Sequence, residues 1–274
     1  MPGALRRSIR PVLAIAALVL SIGTAAAEVR IGAAGSYAAL VTAIVHDYRR
    51  TERDFSFRVL PDLGNAGAIL AMRRRGIDVA VTTYPIEPTA DMALRSIPVG
   101  RTPVVFVTSW RQPGLSLTEG EVIGILGLDW TAWPDGTPLR PILRPPMEGD
   151  YRVLARFAPP MREALERAIR VRKLPVALTV QENLDLAEEV RGSFTVSALT
   201  TIVAERRDLT VIRLDGIEPT PAALADGRYR FGKAIHIASR TDAEPAVHAF
   251  LDHLATAQSQ ALLLRLGVLP AAGD

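Results

Sequence analysis

The sequence predicts an α/β protein built on a parallel sheet covered by helices, and three observations carry that expectation. From residue 28 onward, apolar extended runs alternate with helical patterns in the order strand, helix, strand, helix, strand. Glycine-bearing turns punctuate the change from one pattern to the next. The chain of 274 residues has no cysteine, so its core must stabilise it without staples, as one large domain or two smaller ones. The missing cysteines also exclude disulfides, thiolate nucleophiles and cysteine-bound metals.

Residues 1–27 stand outside this pattern. Arg6, Arg7 and Arg10 precede an apolar run from Val12 to Ile22, and Ala25, Ala26 and Ala27 follow. That order reads as a secretory signal, with cleavage expected near Ala27, before Glu28; the apolar run is too short to span a bilayer comfortably. The arginine pair leaves Sec and twin-arginine export both open. The leader holds three of the 32 basic residues and none of the 29 acidic ones, so the rest of the chain carries 29 of each. Formal neutrality removes the argument for a nucleic-acid partner, which needs a basic face. No second apolar stretch of spanning length follows, so any membrane role requires a partner.

Residues 28–31 form the first predicted strand, ending in GAAGSY, and 38–49 a helix with Leu40, Ile44 and Tyr48 on one side. A strand over 55–60 leads through LGNAG into a helix that Gly76 stops, and IDVAVTT, 77–83, is a buried strand. SIPVGRTPVVFVTS begins another apolar strand near Ile97, followed by LTEGEVIGILG and a hairpin-like WTAWPDGTPLRPILR with a turn at Pro134, Asp135 and Gly136. Helices are expected over 159–173, 181–190 and 196–206, strands over 210–214 and 234–239, and one long helix over 245–266, ended by Gly267 and Pro270. Without a linker or repeat, two lobes would have to be joined by strands that cross between them. PVVFVTS and AIHIASR are the natural crossing segments, which divides the chain into 28–103 with 236–274, and 104–235.

Two of the strand-to-helix turns, residues 32–37 and 64–68, expose backbone. The first turn of a helix has unpaired N–H groups and the positive end of the macrodipole, and small residues let an anion approach them. Such turns also occur for packing alone, and GAAGSY is not the GxGxxG of a dinucleotide fold. RPPMEGDY, 144–151, is a third candidate: Arg144 offers a permanently charged planar fork for an oxyanion, while Asp150 could equally cap the helix that follows, with Glu148 favouring the same terminus. The four histidines form no HExxH and no i,i+4 pair, so no metal is expected; neither GxSxG nor SxxK occurs beyond the leader. No cofactor is expected either. Trp110, Trp130 and Trp133 suit packing better than ligand stacking.

Taken in order, GAAGSYAAL, LPDLGNAGAILAMRRRGIDVAVTT, WPDGTPLRPILR, LRPPMEGDY, GSFTVSALTTIVAE, LDGIEPTPAALADGRYRF and FLDHLATAQSQALLLRLGVLP resemble the phosphate-binding proteins of ABC transporters. The resemblance extends over residues 28–270. It implies a type 2 periplasmic-binding-protein fold, with two α/β lobes joined by crossing strands and an oxyanion held in the cleft. It also implies a periplasmic, monomeric receptor that hands a small anionic ligand to a membrane permease and does no bond chemistry. Ser36 and Tyr37 match a threonine and a phenylalanine after the family's first glycine loop, Asn65 a serine of the second, and Arg144 the arginine that pairs with phosphate.

Other positions depart from the family. Thr83 falls where phosphate binders often have a carboxylate or an arginine, and Glu148 and Asp150 flank Gly149 where Ser-Gly-Thr is common. Donors are replaced by acceptors. A carboxylate ~4 Å from bound phosphate would cost on the order of several kcal/mol in a closed cleft, so phosphate does not follow from the fold. Arg144 is therefore expected to pair with Glu148 or Asp150 in the ligand-free protein. Two rival functions are kept: a periplasmic anion sensor or interaction module with a degenerate phosphate site, and a hydrolase using Glu148 and Asp150 as acid and base.

Overall fold

The computed structural model describes residues 28–52, 55–90, 92–146, 148–157, 159–171 and 174–271. The predicted leader lies outside them. Among the described residues no helix is long and apolar enough to cross a membrane.

Strand β1 (Glu28–Ala33) runs into a single 3-10 turn, Gly35–Tyr37, and helix α1 (Ala38–Tyr48). Strand β2 (Ser56–Leu60), helix α2 (Gly64–Arg73) and strand β3 (Val79–Thr82) follow. β1 pairs in parallel with both β2 and β3. The fourth strand, β4 (Leu94–Thr108), is fifteen residues long and changes partners along its length. The second half of the molecule comprises β5 (Ser116–Leu117), α3 (Glu119–Leu126), β6 (Arg140–Pro141), α4 (Gly149–Phe157), α5 (Pro159–Arg170) and α6 (Val180–Glu189). It continues with β7 (Ser193–Ala198), α7 (Leu199–Glu205), β8 (Thr210–Val211), β9 (Arg213–Leu214) and α8 (Pro221–Ala225). The chain then returns through β10 (Gly232–Arg240) to α9 (Pro245–His253), α10 (Ala257–Arg265) and β11 (Leu269–Pro270).

The main sheet has the order β2-β1-β3-β10-β4-β7-β6, with β8 and β11 also paired to β4. It is mixed, not parallel as the alternation predicts. The reason is the return strand: β10 enters antiparallel to both β3 and β4, and β4 is antiparallel to β7. From Leu94 to Pro103, β4 pairs with β10; from Val104 onward its partners are β7 and β8. The apolar cores divide in the same place. One is built on Ile31, Tyr37, Leu40, Ile44, Val81, Ile237 and Phe250, another on Phe106, Trp133, Leu154, Leu165, Phe194 and Phe231. At the junction the Thr102 hydroxyl donates to the Gly267 carbonyl at 2.9 Å and accepts from the Thr200 amide at 3.1 Å, tying β4 to α7 and to the end of α10.

Four local expectations need correction. Residues 196–206 are not one helix, because the β-branched and aromatic run from Ser193 is buried on both faces as β7, and the helix begins only at Leu199. The long terminal helix breaks between His253 and Ala257. There the Thr256 hydroxyl donates to the His253 carbonyl and accepts from the Ser259 amide, which ends one helix and caps the next. The predicted hairpin around the Pro134–Gly136 turn is reduced to one bridge, Ala132 to Pro138, and its second arm pairs in parallel with β7. Residues 210–214 divide into two short strands on different partners, β4 and β5.

Candidate functional site

A cleft of about 300 Å³ opens where the two groups of elements face each other. Four chain reversals reach it. From the first half come Gly35 and Ser36 of the 3-10 turn and Gly64, Asn65 and Ala66 at the start of α2. From the second half come Glu148 and Gly149 at the start of α4, and Thr179 and Val180 at the start of α6. First-turn amides have no acceptor within their own helix, so the starts of α2, α4 and α6 all present donors and positive dipole ends to one space.

The local sequence explains why the backbone turns there. Asp62 and Gly64 both adopt positive φ, at 58° and 61°, so the chain leaving β2 coils left-handed before α2 begins. Gly35 lies so close to Asp62 that a Cβ would stand 2.6 Å from its carboxylate oxygen. Gly149 is similarly constrained: a Cβ there would meet the Lys233 stem at 2.9 Å. The two glycines leave room for the Asp62 and Lys233 side chains at the wall of the cleft.

Two buried cations line the cleft, and both are occupied. Arg144 is 1% exposed; one terminal nitrogen donates to the Ala177 carbonyl at 2.9 Å and the other pairs with Glu148 at 3.0 Å. Its Nε has no hydrogen-bond partner among the described residues. Lys233, on β10, donates to Asp150 at 2.8 Å and to the Ser36 hydroxyl at 3.0 Å, and its ammonium stands 5.3 Å from the centroid of the Tyr37 ring. The Ser36 carbonyl in turn accepts from Thr201 of α7 at 2.9 Å. Burial, with the nearby Asp150 charge adding to it, holds the Tyr37 hydroxyl well above its ordinary pKa, so it stays protonated and donates to the Ala234 carbonyl at 2.7 Å. Behind Arg144, burial pushes the Tyr151 hydroxyl up to about 12, against the pull of the guanidinium.

Of the residues the sequence singled out, Ser36, Asn65, Thr83, Arg144, Glu148 and Gly149 line the cleft. Asn65 uses its side chain to fix the end of β3: Oδ1 accepts from the Thr83 amide at 2.8 Å and Nδ2 donates to the Thr83 hydroxyl at 3.0 Å. Tyr37 and Asp150 lie behind the wall, 0% and 2% exposed. Asp150 sits in the first turn of α4, yet its carboxylate is committed to Lys233 and is no simple helix cap. The expected ion pair of Arg144 is made with Glu148.

Sequence reasoning missed Lys233, Asp62, Arg152 and the start of α6, all of which line the cleft. Lys233 had a visible signal. A lysine in the run FGKAIHI, whose only other polar side chain is His236, is costly in a sheet unless a carboxylate meets it. Among the described residues no group of three histidines or carboxylates is arranged to hold a metal ion.

Comparison with solved structures gives the same fold. A protein assigned as a phosphate ABC transporter substrate-binding protein from Clostridium perfringens, with bound phosphate, superposes with a TM-score of 0.71 at 12% identity over 90% of this chain and 100% of that one. An ABC-type phosphate transport receptor from Vibrio cholerae gives 0.58 at 14% identity, over 89% and 100%. The effector-binding domain of BenM with benzoate gives 0.53 at 16%, over 85% and 92%. At these identities the likeness establishes architecture: two α/β lobes of the periplasmic-binding-protein type. No curated protein matches the sequence significantly. The family model described as PBP superfamily domain matches residues 21–258, and the chain belongs to that family.

Proposed function

We propose that this chain is an exported solute-binding protein, periplasmic and monomeric, that captures a small oxyanion, phosphate or a relative, and delivers it to an ABC-type permease. In this reading residues 28–103 and 236–274 form one lobe, 104–235 the other, and the lobes close on the ligand around β4 and β10. The observation that carries it is the convergence of three helix starts and the buried Arg144 on one cleft. Backbone donors and a guanidinium aimed at a single space suit an oxyanion without any bond chemistry. The Clostridium and Vibrio proteins, described as phosphate receptors, lend support through shared architecture.

A second reading is favoured by one feature: Glu148 and Asp150 already engage both cations. A degenerate site of this kind suits an anion sensor or interaction module, in which lobe closure signals to a partner. A thermal-shift panel of phosphate, sulfate, molybdate, phosphonates and small carboxylates tests the main reading. A ligand at about 100 times its Kd adds about 2.7 kcal/mol, worth several degrees. A shift with at least one anion, abolished in Arg144→Ala, is expected. No shift with any of them removes the reading.

A further inference from the structure

Inorganic phosphate leaves two features of the cleft unexplained, its charge balance and its lips. Arg144, Arg152 and Lys233 line it, against Asp62 and Glu148, with Asp150 directly behind. These three positive and three negative groups cancel. Arg152 and Asp62, neither of them in an ion pair among the described residues, offset each other, so a ligand gains a cation only by liberating one of the two that are paired. Glu148 is 39% exposed and can swing away from Arg144, whereas Asp150, 3% exposed, is held against Lys233. One freed guanidinium balances one negative charge; a dianion would bring a second charge toward Asp62 and Glu148.

The lips are apolar. Tyr84, just beyond β3, is 37% exposed, and Leu178, ahead of α6, is 69% exposed. They lie on opposite lobes and line the same cleft, with Leu63 and Val180 beside them. A cavity of about 300 Å³ is at the small end of those that hold organic ligands. Exposed apolar side chains on both sides of a polar cleft are suited to covering a hydrocarbon body.

Building on the solute-binding reading, we propose that the ligand is an organic oxyanion with a singly charged head and an apolar body. The head exchanges with Glu148 at Arg144, and the body lies between Tyr84 and Leu178. A carboxylate and a monoester of a phosphonate share this chemistry.

Calorimetric titration of the purified chain with acetate, phenylacetate and inorganic phosphate tests the proposal. Dimethyl phosphate and methyl phenylphosphonate repeat the comparison for a tetrahedral head. In at least one pair the phenyl compound is expected to bind at least tenfold tighter than its small counterpart and tighter than phosphate. Leu178→Ser, at an exposed position that does not threaten folding, should narrow that ratio at least threefold. If phosphate binds more tightly than every phenyl compound, or the ring adds nothing in both pairs, the proposal is overturned and the anion-receptor reading survives. If none of the five anions binds, the proposal is overturned, and the receptor reading falls with it only if sulfate and molybdate also fail to shift the melting temperature.

Discussion

Replacing Lys233 by methionine removes one half of a buried ion pair and leaves the other in place. Lys233 and Asp150 are 4% and 3% exposed and 2.8 Å apart, so in the variant the Asp150 carboxylate remains inside without its counter-ion. Breaking such a pair from one side costs about 3–5 kcal/mol. The first turn of α4 offsets about 0.3–1 kcal/mol of that, since its dipole favours a negative charge at Asp150. The expected loss is therefore about 2–5 kcal/mol. Methionine keeps most of the lysine stem's volume, so little of this is a cavity effect. Adding Asp150→Leu to Lys233→Met removes both charges and should recover most of the loss, because the desolvation cost disappears with them. Urea unfolding at pH 7 reads both variants through their midpoints at constant slope. A single variant that loses less than about 1 kcal/mol, or a double variant no better than the single, refutes this account of the pair.

Further outcomes follow from the same geometry. Glu148→Gln removes the carboxylate that competes for Arg144 and should tighten phosphate binding roughly tenfold, about 1.4 kcal/mol, by calorimetry; unchanged or weaker binding contradicts the competition. Gly64→Ala should cost about 1 kcal/mol in denaturant midpoint for its left-handed backbone alone, because nothing lies within 4 Å of the added Cβ. Gly149→Ala should cost more and also impair anion binding, because its Cβ collides with Lys233. Burial lowers the His236 pKa from 6.5. The unfolded chain therefore binds the proton more readily, so His236's contribution is fully present above 6.5 and is lost as pH falls from there through the lower folded value. His236→Gln should flatten the stability profile on the acid side of 6.5; an unaltered slope rules that contribution out.

Much of the fold was legible because local patterns and tertiary packing agree. The runs that became α1, β2, α2 and β3 carry the right period, and Gly76 and LGNAG mark real boundaries. The strand at 193–198 does carry an alternation, Phe194, Val196 and Ala198 against Ser193, Thr195 and Ser197, and a helix expected from Val196 onward cuts through it. The parallel pairing of β1 with β2 and β3 was legible from the alternation, but the antiparallel entry of β10 was not, since it depends on partners far away in the chain. At the site, Arg144 and Glu148 stand four residues apart and could be paired from sequence. Lys233 and Asp150 are 83 residues apart and meet only through the sheet. Glycine turns announced bare backbone, but only folding brought the start of α6 beside them.

The central place of β10 also bears on how the molecule is made. Its residues pair with β3 on one side and β4 on the other, and α9 contributes Phe250 and Leu251 to the core around β1. A nascent chain emerging from its N-terminus thus carries the first lobe's segments early but lacks the strand that completes their sheet until synthesis is nearly finished. The core around Phe106 and Phe194 draws its buried residues from Val104 to Phe231 alone and does not depend on that strand's far half. Until that return strand arrives, β3 presents an open apolar edge, a state open to mispairing and suited to a holding chaperone.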